Sequence, residues 1–280
     1  MAETLTVDES SPVRTLTTAV ALETIVVLVN PLSGGGGDDA VEGVEEILAD
    51  YPSVKATVVT LQSETFKAQV DEAFDAGADA LFVLAGDGTA GTIAARAGPK
   101  GPLVAPLPGG TMNMLPKALY GTGDWKEALR SALESGTEIA VAGGRVVDGA
   151  ESRPFFCAAI LGAPALWAPA REAVRTGRMK LAWLYGQRAL RRAFSGRLRY
   201  TLLGQNTART EALVLISPTI SRAMDTSSGL EAAAMNTRGA GDAFRLAAHA
   251  LFDDWRRDPS VRTRSTKYVT VAARPRIPAV

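Results

Sequence analysis

The stretch Ala80 to Gly91, reading Ala-Leu-Phe-Val-Leu-Ala-Gly-Asp-Gly-Thr-Ala-Gly, constrains this chain more than any other. Leu81 to Ala85 form an apolar run short enough for a strand and apolar enough to be buried on both faces. The run stops at Gly86-Asp87-Gly88-Thr89, and Ile93-Ala94-Ala95-Arg96 then reads as the start of a helix. Glycine on either side of the aspartate removes the Cβ atoms that would keep a ligand away from the backbone. Strand, bare turn and helix together set unpaired N–H groups and the positive end of a helix dipole in front of an anion. A phosphate site is the first expectation. Gly86, Gly88 and Gly91 also fit a dinucleotide fingerprint, which requires an acid about 20 residues further on to hold the ribose. No Asp or Glu occurs between Gly91 and Gly123, and no Gly-Lys-Ser or Gly-Lys-Thr of a P-loop occurs anywhere.

The same pattern recurs twice. Thr24 to Val29 is a continuous β-branched run that breaks at Asn30-Pro31-Leu32-Ser33 and Gly34 to Gly37. Leu103 to Leu107 breaks at Pro108-Gly109-Gly110-Thr111-Met112-Asn113. In a parallel α/β sheet all three turns emerge at the carboxyl edge, where ligands bind. Between them lie a helix with Val41, Val44, Ile47 and Leu48 on one face, capped by Asp38 or Asp39, a strand over 55–61, and a helix with Phe66, Val70 and Phe74 at i, i+4, i+8. Helices follow over 112–120 and 124–135.

Beyond residue 140 the pattern changes. Strands are expected over 138–147, 154–161, 197–203, 208–217, 229–235 and 268–273, with helices only within 166–194 and 242–255. The fold class is therefore α/β, a parallel-sheet nucleotide-binding domain over 23–140 followed by a mainly antiparallel β-sandwich domain over 141–280. Residues 1–22, with Glu3, Asp8 and Glu9 and no basic segment, read as a disordered arm and not a signal peptide. Thirty basic and thirty acidic residues cancel, so no global charge points to nucleic acid. Cys157 is the only cysteine, which excludes an internal disulfide, and its apolar setting suits a small core residue. His249, the only histidine, lies in an alanine-rich helical pattern and is expected to be structural.

The order Asn30-Pro-Leu-Ser33-Gly34, Gly86-Asp87-Gly88-Thr89 and Leu107-Pro108-Gly109-Gly110-Thr111-Met112-Asn113 resembles the catalytic family of diacylglycerol and sphingosine kinases, bacterial lipid kinases included. The resemblance covers residues 24 to about 140 closely and the remainder thinly. It implies transfer of the ATP γ-phosphoryl group, with Mg²⁺, to a lipid hydroxyl such as that of diacylglycerol or a long-chain base. It also implies that the backbone of Ser33, Gly34, Gly35, Gly86, Gly88 and Gly110 approaches the phosphates. Asn30, Ser33, Thr89, Thr111 and Asn113 would donate hydrogen bonds. Asp87 would be the catalytic residue, binding the metal directly or through water or orienting the accepting hydroxyl, and Asp87→Asn is expected to abolish turnover while being nearly silent by thermal melting.

The chain departs from the family pattern at four places: Ala85 replaces a glycine, Thr92 and Met114 replace acids, and Ser228-Gly229 stands where a catalytic Asp-Gly is expected. Asp225 and Glu231 are the acids nearest that position. The ending at Val280, about where further strands would follow, is expected to be a truncation. Segment 167–199 carries Arg171, Arg175, Arg178, Lys180, Arg188, Arg191, Arg192, Arg197 and Arg199 against Glu172, interleaved with Trp183, Leu184, Tyr185, Leu190 and Phe194. That composition suits an anionic membrane surface. The expected location is therefore cytoplasmic and peripheral at a membrane, with a lipid substrate as partner, no nucleic acid, and a homodimer left open. Two other functions share these features: an NAD kinase or phosphofructokinase acting on a soluble substrate, and a lipid-binding relative that has lost catalysis.

Overall fold

The structure is a computed structural model that describes residues 3–9, 15–19, 21–33, 39–148, 151–162, 173, 178–181, 183–185, 198–221, 229–236 and 258–273. It divides into two compact units, an α/β unit of residues 13–141 and a β unit of residues 1–12 with 142–280.

In the α/β unit, β3 (Thr24–Val29), β4 (Lys55–Thr60), β5 (Ala80–Ala85) and β6 (Leu103–Pro108) form a parallel sheet in the order β4-β3-β5-β6. Helices α1 (Ala40–Ala49) and α5 (Trp125–Ser135) cover one face, where Ile25, Val27, Phe82 and Leu84 pack with Val44, Ile47 and Leu129. Helices α2 (Phe66–Asp75) and α3 (Asp87–Ala97) cover the other, where Val26, Leu28, Leu81 and Val83 pack with Val70 and Ile93. Every residue of β5 is buried, as a strand between two helical layers must be. Each large side chain so buried contributes roughly 1.5–3 kcal/mol.

Two local devices set the ends of this sheet. The Asp79 carboxylate accepts the N–H groups of Glu23 and Thr24, which fixes where β3 begins beside β5. Those bonds, Thr24 first and Glu23 second, hold the Asp79 carboxyl below its ordinary range, so its contribution is present at neutral pH and is lost as pH falls through the lowered value. At the other side, Leu103 N–H donates to Asp79 O and Gly109 N–H to Ala85 O, so odd-numbered positions of β6 face β5. The outward positions are Val104, Pro106 and Pro108, and the two prolines have no N–H to offer a further strand. With two of its three outward positions lacking a donor, the outer edge of β6 is a poor template for a further strand.

Helix α5 is capped by residues at its own start. Asp124 accepts the N–H groups of Lys126 and Glu127, and Thr122 Oγ1 donates to Glu127 Oε2 at 2.6 Å. Asp124→Ala is expected to lower stability by about 1 kcal/mol in urea unfolding. At α1, by contrast, Asp39 occupies the cap position without a side-chain bond, and Asp38 lies outside the described residues.

The β unit holds two antiparallel sheets. One runs β12-β11-β16-β1-β8-β9 and comprises β12 (Ala208–Thr210), β11 (Leu198–Leu202), β16 (Tyr268–Ala273), β1 (Glu3–Glu9), β8 (Gly144–Asp148) and β9 (Glu151–Phe155). The other runs β10-β13-β14-β15 and comprises β10 (Ala158–Gly162), β13 (Ala212–Ile216), β14 (Leu230–Met235) and β15 (Val261–Thr266). Leu161, Leu213, Leu215, Leu230 and Ala232 of one sheet pack on Leu198, Leu202, Val269 and Val271 of the other. This is a β-sandwich core.

Several expectations need correction. The stretch read as a disordered arm contains β1, and also β2 (Thr15–Ala19), which pairs with β7 (Thr137–Ile139). The alternation Thr4-Leu5-Thr6-Val7 is a strand signal outweighed on paper by its acidic flanks. The runs 154–161 and 208–217 each divide into two strands that belong to different sheets, breaking at Phe156-Cys157 and at Glu211. Strand β15 was unread because Arg262 and Arg264 face solvent on an edge strand and mask its pattern. The helix expected over 242–255, His249 with it, lies outside the described residues, as does most of segment 167–199. No helix among the described residues is long and apolar enough to cross a membrane.

Candidate active site

The three glycine turns do sit at the carboxyl ends of β3, β5 and β6, which are neighbours in the sheet. In the first, Asn30 N–H extends the ladder to Leu84 O at 2.9 Å, and Asn30 Oδ1 accepts Leu32 N–H. Ser33 donates both its N–H and its hydroxyl to Asn30 O, the latter at 2.6 Å. The side chains of Asn30 and Ser33 thus build the turn itself. Gly34 and Gly35 lie outside the described residues.

The second and third turns are welded together. A Cβ on Gly110 would lie 2.6 Å from Gly86 Cα, and one on Gly109 would lie 2.6 Å from Ala85 N. Only glycine allows these two backbones to touch. Gly110 N–H donates to Asn113 Oδ1 at 2.7 Å, and Asn113, buried and left-handed at φ 52°, leads into α4 (Met114–Tyr120). Asn tolerates that conformation better than other residues with a Cβ.

Asp87 closes the joint. Its Oδ2 accepts Met114 N–H and its Oδ1 accepts Leu115 N–H, each at 3.1 Å. The next helical residue, Pro116, has no N–H, and Lys117 N–H already bonds Asn113 O. The leading donors of α4 are therefore all accounted for, and Asp87 serves as that helix's cap from another element. The expectation that Asp87→Asn leaves melting unchanged does not fit this geometry, because an amide can accept only one of the two bonds.

At α3 the situation is reversed. Its first internal bond runs from Ala90 N–H to Gly86 O, so the N–H groups of Asp87, Gly88 and Thr89 precede the ladder. Nothing lies within 4 Å of the position a Gly88 Cβ would take. The hydroxyls of Thr89 and Thr111 make no hydrogen bond among the described residues, and Thr111 is exposed. The arrangement therefore offers an anion three backbone donors, the Thr89 hydroxyl and an open approach at one helix N-terminus, with the exposed Thr111 on the adjoining third turn.

Two contributors escaped the sequence reading. Gly109 packs where only Gly110 was expected to matter, and the doubled glycine was its signal. Lys117 reaches back so that its Nζ donates to Met112 O at 3.1 Å, which places a cation on the third turn. Among the positions that depart from the family pattern, Thr92 donates to Gly88 O within its own helix and Ala85 is buried. Glu231 is buried in β14 with Ser221 Oγ donating to it, while Asp225 and Ser228 lie outside the described residues. Among the described residues no group of three or more His, Cys, Asp or Glu side chains is placed to hold a metal. Mg²⁺ carried by a nucleotide needs only one or two carboxylates beside phosphate oxygens and water, and each Asp87 oxygen retains a second lone pair.

A hollow of about 330 Å³ lies at the opposite, amino end of the sheet, between β6, α4 and α5, lined by Ala80, Phe82, Leu103 and Tyr120 among others. Burial pushes the Tyr120 phenol up to about 12, so it stays protonated. This hollow has no part in the turn cluster.

Comparison with known proteins agrees with the geometry. The diacylglycerol kinase catalytic domain family matches residues 24–144. No curated protein matches the chain. Among solved structures, a diacylglycerol kinase from Bacillus anthracis str. Sterne superposes with TM-score 0.59 at 13% identity, covering 93% of this chain and 90% of its own. Two candidate diacylglycerol kinases from the same organism superpose with TM-scores of 0.65 and 0.63 at 16% and 15% identity. The first of these covers 93% of this chain and 90% of its own, the second 94% and 89%. At such identities the likeness establishes the two-domain fold, α/β with a parallel sheet followed by antiparallel sheets. Residues 24–144 thus carry the match to the diacylglycerol kinase catalytic domain, which supports a kinase-type catalytic family for this part of the chain.

Proposed function

We propose that the chain is an ATP-dependent kinase that transfers the γ-phosphoryl group to the hydroxyl of a lipid, diacylglycerol or a long-chain base. One observation carries the reading. The second and third turns are locked backbone to backbone while the N-terminus of α3 is left with its leading N–H groups unpaired in the fold. Phosphoryl transfer asks a protein mainly for positioning and for donors aimed at phosphate oxygens, and this edge is built of such donors.

When bound, ATP with Mg²⁺ supplies the transferable group and neutralises its charge. The N–H groups of Asp87, Gly88 and Thr89 would hold phosphate oxygens, with the hydroxyls of Thr89 and Thr111 beside them. Asp87 would act mainly by holding α4 and the third turn in place, its remaining lone pairs serving a hydrated Mg²⁺. Asn30, Ser33 and Asn113 would act through the turns they build, and Gly34 and Gly35 through their backbone.

The test is transfer of label from γ-labelled ATP to a panel of lipids in mixed micelles, with NAD and fructose 6-phosphate as soluble competitors. Labelled lipid is the expected product. Label in a soluble acceptor and none in lipid would overturn the proposal in favour of the NAD kinase or phosphofructokinase alternative. Gly88→Leu sharpens the test, because Gly88 is helical and its Cβ position is open. The variant should fold as well as the parent, or better by up to about 1 kcal/mol, since glycine is a poor helix former. Its KM for ATP should nevertheless rise at least about tenfold, because the new side chain stands beside the α3 donors. An unchanged KM would mean that phosphate does not bind there.

A further inference from the structure

The hollow of about 330 Å³ at the amino end of the parallel sheet is left open by the residues around it. Ala80 and Ala105 line it on the sheet side, and Ala132 and Gly136 on the side of α5. Protein interiors are ordinarily close-packed, so a space of this size between two elements needs small residues on both. Phe82, Leu103, Leu119 and Ile139 add apolar wall, and Ile139 is 44% exposed. The volume falls at the lower end of the range of small-molecule sites, about 300–1,000 Å³.

The polar part of the lining identifies the occupant. Ser131, Ser135 and Thr137 are exposed hydroxyl residues at the rim, and Glu138, also exposed, is the one charged residue of the lining. Its carboxylate makes no ion pair or hydrogen bond among the described residues, and none of those lining the space is Lys, Arg or His. The Tyr120 hydroxyl likewise has no hydrogen-bond partner among the described residues, and the phenol, pushed up to about 12 by burial, stays neutral. Strand β6 adds acceptors. Val104, Pro106 and Pro108 present carbonyls along its outer edge, Val104 alone presents an N–H there, and Val104 borders the hollow. A carboxylate or phosphate head would meet Glu138 here and find no cation. A molecule with an apolar body and an ammonium head finds the reverse, since an ammonium brings three donors and a positive charge.

We infer that this hollow is a binding site for a small amphiphilic amine, its hydrocarbon body against Phe82, Leu103 and Ile139 and its ammonium at Glu138. The site lies at the far end of the sheet from the glycine turns, so it is independent of the kinase proposal and of its acceptor.

The experiment is titration of the full chain, without ATP, with octylamine, octanol and octanoate, which share a chain and differ in head, followed by ligand-observed NMR. Octylamine should bind, octanol at least about threefold more weakly, and octanoate at least about tenfold more weakly than the amine. Glu138→Gln should bring octylamine to the level of octanol and leave octanol unchanged. Raising salt to about 0.5 M should narrow the gap between the two. Ala132→Leu, which places a larger side chain in the hollow, should weaken octylamine and octanol alike by at least about tenfold with an unchanged far-UV circular dichroism spectrum. Should that variant fail to fold, Glu138→Gln decides alone, being a change at an exposed position. If octylamine does not bind, if octanoate binds as tightly, or if Glu138→Gln keeps the parent's preference for the amine, the site is refuted. If Ala132→Leu converts a dimer to a monomer in sedimentation velocity with octylamine binding intact, the hollow is an interface between copies and the inference fails.

Discussion

Deleting residues 1–12 is expected to abolish cooperative unfolding of the β unit. Strand β1 is an inner strand of the six-stranded sheet, in register with β16 from Glu3↔Ala273 to Asp8↔Tyr268 and with β8 from Leu5↔Asp148 to Glu9↔Gly144. Removing it divides that sheet into β12-β11-β16 and β8-β9 and leaves two unpaired edges where it had been. At roughly 0.2–1 kcal/mol for each cross-strand pair, the loss is several kcal/mol, a large part of the 5–15 kcal/mol that typically stabilises a domain. Val269 and Val271 of β16, fully buried in the sandwich core, would lose the neighbour that fixes their strand. Thermal melting followed by circular dichroism, with limited proteolysis to locate the unfolded part, is the check. A truncated chain that melts within a few degrees of the parent and resists protease between residues 142 and 273 would show that β1 is dispensable.

Replacing Asp87 by alanine is the second large effect. Both of its carboxylate oxygens accept N–H groups at the start of α4, and no other side chain caps that helix. Charge-assisted bonds of this kind contribute about 1.5–3 kcal/mol each at most, and capping losses are typically near 1 kcal/mol. A total of about 2–3 kcal/mol, or a fall in melting temperature on the order of 5–10 °C, is the expected outcome. Asp87→Asn should lie between alanine and the parent, since the amide oxygen keeps one of the bonds. Loss of the cap would also loosen the third turn from the second, so ATP binding should weaken along with stability. If Asp87→Asn melts with the parent and only turnover falls, the carboxylate works on the substrate or metal and not as a clasp.

Both predictions concern residues whose neighbours are distant in sequence, and this separates what could be read from what could not. The parallel sheet was legible because β3 and β5 are continuous apolar runs that end in glycine, and burial on both faces imposes that pattern locally. The apolar face of α1 and the extent of α5 were legible for the same reason, each being set by residues within a turn or two of one another. The order of the three turn motifs carried the family resemblance, and the family match confirms it over residues 24–144.

The partners within the turns were another matter. From the sequence, glycines 86, 88 and 110 look alike, yet Gly110 is glycine because another backbone passes 2.6 Å from where its Cβ would be, and Gly88 has empty space there. Asp87 reads as a free carboxylate until α4, nearly thirty residues later, is seen to end upon it. Strand β1 reads as an acidic arm until a strand from the far end of the chain lies beside it.

Local periodicity and turn chemistry in the sequence were thus sufficient to determine the class of the α/β unit and the edge on which its glycine turns gather. Only the tertiary structure decided which glycines hold the turns together and which leave room for a ligand, what Asp87 bonds to, and where the first strand belongs. The physical reason is that periodicity is imposed by backbone geometry within a few residues, whereas a close approach or a hydrogen-bond partner depends on segments the fold brings together from far apart in the chain.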